Sequence, residues 1–419
     1  MTGSLDLNGT ELVLDVDGDT SITSDTDDQI DIKIAGSDKL KIDASSHLVT
    51  TTAGTSNLVL GVNAGNSIAS GGNYNVCIGD EAGTALTTGG QNTAIGFEAL
   101  KTEDAHGLNT AVGYQALKVL DAGTEGYNTA VGRQAGAAMT TGTTNTLVGS
   151  NAGDALTNGG NNVAIGAFAL SAEDGHSFNV AVGSNALLVQ NTGGDGYNVA
   201  VGHNAGKGCT TGTNNTFIGG LAGGDSTQTG ANNVAVGYAA GFNLTSGANN
   251  ILIGKQSGRS GSPSGQIDTE SNTVCLGDDN ITDLFCADSS ISTSDSRDKT
   301  DITDFSIGLN WLKDLRPVTY KWDKRSWYGT EEKPLGTPDG SKKGSKVNIG
   351  FLAQEVLEVE KANGFGDSAD TMLTCNLTND GQRYGMKYER LIPILVNAVK
   401  ELSAKNDALE ARIKKLEDG

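Results

Sequence analysis

The chain is poor in aromatic residues, proline and basic residues, and it has no long hydrophobic run. Aromatic residues make up 5% of its 419 residues and hydrophobic residues 37%, which argues against a large aromatic core. Its 29 Lys and Arg oppose 50 Asp and Glu, so a net charge of −21 would repel nucleic-acid phosphates. No stretch approaches the roughly 18 apolar residues of a membrane-spanning helix, and the first twenty residues do not resemble a secretory signal. Neither a nucleic acid nor a membrane is therefore expected as a partner.

Cysteine is also scarce. The five cysteines are odd in number, far apart and never part of a C-x-x-C pair, so neither a zinc site nor a disulfide framework is predicted. We interpret them as buried thiols of a protein made in a reducing cytosol. They are Cys77, Cys209, Cys275, Cys286 and Cys375. The sequence predicts no metal and no cofactor.

The composition changes near residue 290. Residues 1–294 contain 9 Lys and Arg against 29 Asp and Glu, whereas residues 295–419 contain 20 against 21. Four of the five prolines and all three tryptophans lie in the second part, and no proline precedes Pro263. Two regions with different physical character are therefore expected.

A nine-residue pattern recurs through the middle of the chain. It reads NTAIGFEAL at 92–100, NTAVGYQAL at 109–117 and NTAVGRQAG at 128–136. Its glycine recurs at steps of 17 to 19 residues, which is typical of a solenoid. The twelve positions are Gly61, Gly79, Gly96, Gly113, Gly132, Gly149, Gly166, Gly183, Gly202, Gly219, Gly237 and Gly254.

A longer period of 70 residues is superimposed on this repeat. The four residues from Glu103 to His106 correspond to those from Glu173 to His176. We infer that a block of four rungs was duplicated, and we interpret both histidines as exposed turn residues.

The repeat predicts a mainly β fold, a parallel β-roll or β-solenoid of about twelve seventeen-residue rungs. A rung this short can hold two strands and two turns but not two helices. We expect the Asn of each rung to form a ladder of side-chain hydrogen bonds and the Gly to occupy a positive-φ corner. Proline would remove a donor from such a sheet, which accounts for its absence. Inward positions are assigned to one large aliphatic and one small residue per rung, as in Ile95, Val112, Val131 and Val148 and in Ala99, Ala116, Ala135 and Ala152.

The rungs from residue 57 to about residue 258 resemble the head repeats of trimeric autotransporter adhesins. The resemblance implies a parallel β-roll and a homotrimer. In residues 1–50 apolar and polar residues alternate with the period of β-strands, and we interpret this segment as a shaft or attachment region. Its aspartates are interpreted as a solvated acidic surface rather than a cation site. They are Asp15, Asp17, Asp19, Asp25, Asp27, Asp28 and Asp31.

Four strings characterise the rest of the chain: SDSRDKTDI at 294–302, LRPVTYKW at 315–322, GFLAQEV at 350–356 and YERLIPILVNAVKEL at 388–402. In that order and at that spacing, residues 294–419 resemble the endosialidase-type intramolecular chaperone of phage tail fibres and tailspikes. The resemblance implies a small α+β domain that assembles the fibre as a trimer and then cuts itself off.

By the same resemblance, Ser294 is the catalytic nucleophile and Lys299 its general base. The cut is expected next to Ser294, at the Thr293–Ser294 bond, although the neighbouring serines leave the bond open. A lysine acts as a base only when it is neutral, which requires desolvation or a nearby cation such as Arg297. In a helix the two side chains would lie about 140° apart, and in a strand on opposite faces. The dyad therefore requires a turn, or a geometry imposed by the assembled trimer.

The last residues predict a coiled-coil helix. Two sets of residues recur every seven positions: Ile392, Val399, Asn406 and Ile413 at a, and Leu395, Leu402, Leu409 and Leu416 at d. Asn406 is the polar a residue that would fix the register. The alternative, that this helix packs on its own domain, remains open.

These patterns together predict four regions. They are an N-terminal β shaft or attachment segment at 1–50, the solenoid at 51–290, the chaperone autoprotease at 291–390 and its coiled-coil helix at 391–419. We predict a homotrimeric fibre of a phage virion, assembled in the host cytoplasm, whose only reaction is a single self-cleavage. Its expected partners are other tail proteins and a host receptor, either a glycan or a surface protein. The alternatives are a polysaccharide-degrading tailspike, which needs a carboxylate pair that is not evident in 51–290, and an ice- or carbohydrate-binding solenoid.

Overall fold

The computed structural model describes residues 12–23, 29–43, 48–281, 294–330, 333–378 and 380–418. The chain forms two compact units. The first comprises Met1–Ser257 with Asp268–Leu276, and the second comprises Gly258–Ile267 with Gly277–Gly419. Among the described residues, the first unit consists of strands and turns, and the second mixes short strands with three α-helices.

The first unit begins with an antiparallel sheet in sequence order. Its strands are β1 (Leu12–Val13), β2 (Ser21–Thr23), β3 (Ile30–Ile34), β4 (Ser37–Ile42) and β5 (Leu48–Thr50). The predicted strands are therefore confirmed in the described part of residues 1–50. Buried Asp31 pairs with Lys41 at 3.5 Å, while isoleucines of β2, β3 and β4 remain exposed. One chain thus leaves an apolar face of this sheet uncovered.

The parallel β-solenoid follows and is confirmed by thirteen strands that pair in parallel in sequence order. The strands are β6 (Leu58–Leu60), β7 (Val76–Ile78), β8 (Thr93–Ile95), β9 (Thr110–Val112), β10 (Thr129–Val131), β11 (Thr146–Val148), β12 (Val163–Ile165), β13 (Val180–Val182), β14 (Val199–Val201), β15 (Thr216–Ile218), β16 (Val234–Val236), β17 (Ile251–Ile253) and β18 (Val274–Leu276). The prediction of two strands per rung is wrong. Within residues 48–281, which are described without a gap, each rung has one three-residue strand, and turns form the rest.

The interior of the solenoid differs from the prediction in its large residues. Ala99, Ala116, Ala135 and Ala152 are fully buried, as predicted. The aliphatic residue that precedes each glycine instead faces outward, because the middle residue of each strand points inward and neighbouring side chains alternate. In β8, for example, Ala94 is buried and Ile95 is partly exposed. The core is therefore built from strand-centre residues, the alanines and leucines of the following turns.

A ladder of asparagines joins the rungs, as predicted. The Oδ1 of Asn75 accepts a hydrogen bond from the backbone N–H of Asn92 at 2.9 Å, and Asn92 accepts from Asn109 at 3.0 Å in the same way. Most of the Nδ2 groups reach a carbonyl in the following turn, as in the bond from Asn75 to the Gly89 carbonyl at 2.9 Å. The buried amides thus replace backbone hydrogen bonds at the corner where each strand begins.

The glycine after each strand occupies the positive-φ corner that the sequence predicts. Gly113 has φ +137°, and a Cβ there would lie 2.4 Å from the carbonyl oxygen of Gly132 in the next rung. Both the backbone conformation and the close stacking of rungs therefore require glycine at this corner.

Replacing Asn145 with alanine should destabilise the solenoid by about 3 kcal/mol, since each buried group left unpaired costs about 1–3 kcal/mol. The substitution removes the acceptor of the Asn162 N–H and the donor to the Gly159 carbonyl, both at 2.9 Å. The shift of the urea unfolding midpoint measures this loss. Asn161→Gly is the matched control, because Asn161 is exposed and its φ of 57° suits glycine. Equal shifts in the two variants would contradict the ladder's role.

The second unit is a small α+β domain. It contains α1 (Leu309–Asp314), β19 (Val318–Tyr320), β20 (Asn348–Gly350), α2 (Ala353–Ala362), β21 (Cys375–Leu377), β22 (Tyr384–Met386) and α3 (Leu391–Glu417). The strands form two antiparallel pairs, β19 with β20 and β21 with β22. Fully buried Trp311 packs with Leu391 and Ile394, which joins α1 to the start of α3.

Helix α3 uses two different faces. Leu391, Ile394 and Ala398 are buried within the unit. The a and d positions are exposed in the single chain, as in Val399, which is 65% exposed, and Leu409, which is 54% exposed. Asn406 is also exposed and donates a hydrogen bond to Glu410 at 2.9 Å. The start of the helix packs on its own domain, and the apolar heptad row stays uncovered.

Candidate functional site

The candidate site is a tight turn at the start of the described segment 294–330, within the second unit. Residues Ser296–Asp298 form one turn of 3-10 helix. Asp295 is its N-cap, and its carboxylate accepts a hydrogen bond from the backbone N–H of Arg297 at 2.9 Å. The N–H of Lys299 donates to the Ser296 carbonyl at 3.3 Å and ends the helix. The sequence predicts that the dyad needs a turn, and this is the local structure found.

The turn brings the two predicted catalytic side chains together. The Nζ of Lys299 donates a hydrogen bond to the Oγ of Ser294 at 2.7 Å, although five positions separate the residues. Both side chains are exposed in the single chain. A lysine that donates a proton to the serine oxygen is positioned for proton transfer, but it becomes a base only after losing its own proton. The single chain therefore places the Lys299 amine within hydrogen-bonding distance of the Ser294 hydroxyl. It does not shield that amine from water, which a neutral lysine requires.

Arg297 pairs with Asp295, whereas the sequence analysis offered it as a cation acting on Lys299. Its Nε lies 3.0 and 3.1 Å from the two carboxylate oxygens of Asp295. The hydrogen bonds from Arg297 hold the pKa of the Asp295 carboxyl below its usual value, and the pKa of Arg297 is raised in return. Because this pair balances the guanidinium charge, Arg297 is a weaker source of positive potential for Lys299 than the sequence suggests.

Thr293, the residue on the other side of the expected scissile bond, lies outside the described residues, as does Cys286. The catalytic assignment of Ser294 and Lys299 and the cut at Thr293–Ser294 remain predictions.

A buried carboxylate that the sequence analysis missed organises the same unit. Glu360 of α2 is fully buried and accepts hydrogen bonds from the backbone N–H groups of Leu373 and Cys375 at 3.1 and 3.0 Å. The backbone and hydroxyl of Thr374 also donate to it. The charge is thus satisfied by several donors and fixes α2 to the chain entering β21. In the sequence, the one sign that Glu360 is buried is its position on the same side of α2 as the apolar residues Val356 and Leu357.

In the described part of the chain, three groups of carboxylate and histidine side chains have ligand atoms close enough together to bind a metal ion. They are Glu103, Asp104, His106 and Asp121; Glu173, Asp174 and His176; and Asp15, Asp17 and Asp19. Asp25, Asp27 and Asp28 lie outside the described residues. In the first two groups the buried carboxylates are already engaged, as Glu103 accepts from the His106 and Ala122 N–H groups at 3.2 Å. Burial raises the pKa of Glu103. Its hydrogen bond from Ala122 connects two neighbouring rungs of the solenoid.

The interpretation of His106 and His176 as exposed is wrong. Both imidazoles are partly buried, and the Nδ1 of His176 lies 2.6 Å from the carboxylate of Glu173. The glutamate three positions earlier is fully buried in both copies of the duplicated block. In each copy the buried glutamate contacts the histidine three positions later and so draws that residue out of full solvent exposure. The sequence pattern of turn residues does not show that the glutamate is buried.

The thiols are buried as predicted. Cys77, Cys209, Cys275 and Cys375 are all buried in the described part of the chain. Burial raises the pKa of Cys77 and Cys209 to about 12 and that of Cys375 to about 11. These sulfurs therefore remain protonated thiols at neutral pH and are poor nucleophiles.

Comparison with known protein families finds a match in the second unit. Residues 294–365 match the family model described as the chaperone of endosialidase. No curated protein and no solved structure matches the chain. None of the described helices has the length and apolar character needed to cross a membrane. The matched segment begins at Ser294, includes Lys299 and runs through α2, so it supports an intramolecular chaperone domain in the second unit.

Proposed function

We propose that the chain is a homotrimeric tail fibre of a bacteriophage, assembled in the host cytoplasm and carried on the virion for attachment to the host surface. Its second unit is an intramolecular chaperone that aligns three chains and then cuts itself off next to Ser294. The observation that carries the proposal is the 2.7 Å hydrogen bond between Lys299 and Ser294 at the start of the segment that matches the chaperone of endosialidase.

The cut is proposed at Thr293–Ser294 and follows from ordinary acyl-transfer chemistry. A neutral Lys299 takes the proton of the Ser294 hydroxyl while the Oγ attacks the carbonyl carbon of Thr293. The carbon–nitrogen bond breaks, the Ser294 amine takes up a proton, and an ester joins Thr293 to the Ser294 oxygen. Water then hydrolyses this ester to a Thr293 carboxylate and a free Ser294 hydroxyl. No cofactor takes part in these steps.

Self-cleavage only after assembly is consistent with the exposed dyad. A lysine in water has a pKa of about 10.4, so almost none of it is neutral at pH 7. Covering the turn with a neighbouring chain would remove water and favour the neutral amine. The reaction is then linked to the assembled state, and an unassembled chain keeps its chaperone.

The first unit offers a surface for three chains. The outward aliphatic residue of each solenoid strand lies next to its counterparts in adjacent rungs, from Leu60 in β6 to Leu276 in β18. Adjacent strands lie roughly 4.8 Å apart, so twelve steps make an apolar row roughly 58 Å long. Both end residues are more than 40% exposed in the single chain. Continuous exposed apolar rows mark contact surfaces between proteins, and here the proposed occupant is the same row of a second copy.

Aspartate at positions 402 and 409 should prevent both assembly and cutting. Leu402 and Leu409 are d positions that a coiled coil would bury. Desolvating two carboxylates there costs several kcal/mol, and each 1.4 kcal/mol is a factor of ten, so we expect less than about a tenth of the wild-type cleavage. Light scattering gives the mass of the assembly, and a denaturing gel gives the cut fraction.

Ala404→Asp combined with Ala411→Asp is the matched control. Both alanines are exposed on the same helix and lie at the f positions, which face away from a coiled-coil partner. This control should assemble and cut as the wild type does. Normal assembly and cutting by the Leu402→Asp, Leu409→Asp variant would overturn the role of α3 as a trimer coil.

A further inference from the structure

One corner of the solenoid carries a strip of residues that the assembly proposal does not use. The corner strip consists of the residue directly before the buried Asn of each rung, or before Thr273 in the last rung. It runs through Ser56, Tyr74, Gln91, Leu108, Tyr127, Thr144, Asn161, Phe178, Tyr197, Asn214, Asn232, Asn249 and Asn272. None of these thirteen side chains is charged, although residues 1–294 contain 29 acidic residues against 9 basic ones.

Every residue of the corner strip has a left-handed backbone. The φ angles run from 49° at Tyr197 to 65° at Phe178. Asparagine tolerates this conformation well and occupies five of the thirteen positions, whereas large aromatic residues are unusual there. Four aromatic residues nevertheless occupy it, and they are also exposed, with Tyr74 at 62% and Tyr127 at 59%. Folding would favour asparagine at these positions, so the aromatic residues need another reason.

Packing between rungs does not supply that reason for all four. Phe178 and Tyr197 are stacked at 5.0 Å with an angle of 4° between their planes. Tyr74 and Tyr127 are flanked in the strip by residues without rings, Ser56 and Gln91 for the first, and Leu108 and Thr144 for the second. Their rings are exposed, and the strip residues that flank them carry no charge.

Three of the four aromatic residues of the strip are evenly spaced, and the fourth, Tyr197, lies one rung after Phe178. Three rungs separate Tyr74 from Tyr127, and three more separate Tyr127 from Phe178. With roughly 4.8 Å between rungs, the interval is roughly 14 Å. Between the rings lie side chains with amide or hydroxyl groups, such as Gln91, Thr144 and Asn161. A ligand that repeats along its own length fits this arrangement better than a compact one.

We propose that the corner strip binds a neutral polysaccharide chain of the host surface along the solenoid axis. The C–H face of a sugar ring is apolar and packs on the face of an aromatic ring, while its hydroxyl groups exchange hydrogen bonds with amides and hydroxyls. An uncharged strip on an acidic solenoid favours a neutral chain over an anionic one, since anionic groups would be repelled by the surrounding carboxylates. The proposal rests on the attachment role proposed above and specifies the ligand for it.

The test changes all four aromatic residues to the residue that the same corner uses elsewhere. Wild type and the variant Tyr74→Asn, Tyr127→Asn, Phe178→Asn, Tyr197→Asn, each expressed as the full chain and left to assemble and cut itself, are compared on an array of immobilised bacterial lipopolysaccharide O-chains and capsular polysaccharides, both neutral and acidic. We expect wild type to bind at least one neutral polysaccharide and the variant to bind it at least tenfold more weakly. The O-chain and capsule arms identify the source of the ligand.

The matched control removes two exposed aromatic residues outside the strip. Phe97 and Tyr114 are stacked at 5.4 Å in the column just after the corner glycine, where serine occurs at 150 and 184. The variant Phe97→Ser, Tyr114→Ser should bind as wild type does, and an equal loss of binding would overturn the assignment to the strip. Wild-type binding to acidic polysaccharides alone, or to none, would also overturn it.

Assembly is measured on the same samples. If the four-residue variant no longer forms trimers, the strip belongs to a contact between copies and the glycan proposal is overturned. If wild type assembles and cuts itself but binds no neutral polysaccharide, the glycan proposal fails while the proposed chaperone function stands.

Discussion

Ser294→Ala should leave one uncut chain of 419 residues where the wild type gives two fragments, residues 1–293 and 294–419. The substitution removes the Oγ that forms the ester with Thr293 in the proposed reaction, while the turn that Asp295 caps does not depend on the serine hydroxyl. Loss of a nucleophile that forms the covalent intermediate removes the reaction rather than slowing it slightly. A denaturing gel with the intact mass of each product measures the result.

Two further variants separate the nucleophile from its neighbours and from the base. Ser296→Ala is the matched control, because Ser296 lies in the same exposed turn and its side chain is not in the Lys299 contact. It should cut as the wild type does, whereas Lys299→Gln should remain uncut because it cannot take the proton. Wild-type cutting by Ser294→Ala would contradict the assignment. Assembled but uncut wild-type protein would leave the chaperone without the protease.

The spacing of the repeats predicts the solenoid but not the orientation of its side chains. A glycine every 17 to 19 residues and an Asn four positions earlier are sufficient to place the corner and the ladder, and both are found. The same spacing does not say which residue of a three-residue strand points inward. Ile95 and Ala94 are both apolar, so the choice depends on the path into the strand, which the buried Asn92 fixes.

The last rung lies outside the series of twelve glycines that defines the repeat in the sequence. The thirteenth strand, Val274–Leu276, pairs with Ile251–Ile253, and 23 residues separate equivalent positions. The insertion responsible, Gly258–Ile267, belongs to the second compact unit. A search for a fixed period stops where the loop between rungs lengthens, although the strand itself, VCL before glycine, still fits the pattern.

The assignment of Ser294 and Lys299 comes from the resemblance to the endosialidase-type chaperone and stays a prediction, whereas the turn that their spacing requires is found. The cap at Asp295 and its pairing with Arg297 were not predictable, because an Asp two positions before an Arg is equally compatible with separate solvated side chains. Burial of Glu360 was also beyond the sequence. Its donors come from residues 373–375, and no local pattern relates them to α2.

Expressed directly, residues 1–293 should give little or no trimer, whereas the same residues released from the full chain by self-cleavage should be trimeric. The solenoid strands are parallel, and each depends on contacts with residues in the next rung. Three such chains could associate in many registers along an apolar row, because each rung presents nearly the same surface. Parallel pairing between distant residues is slow, and exposed edges and faces favour aggregation before the register is found. Size-exclusion chromatography with light scattering on the two preparations measures the difference.

The two samples contain the same polypeptide and differ only in whether the chaperone was attached while the chains assembled. If the released trimer is heated until it unfolds and then cooled, it should fail to reassemble, since the chaperone is no longer attached and its stability is kinetic. Supplying residues 294–419 as a separate chain should not restore assembly, because the chaperone acts by holding three attached chains in register. Full recovery of the trimer by residues 1–293 alone would show that the solenoid finds its own register. The chaperone would then not be needed to set the register of the three chains. Coupling of self-cleavage to assembly would no longer have a physical reason.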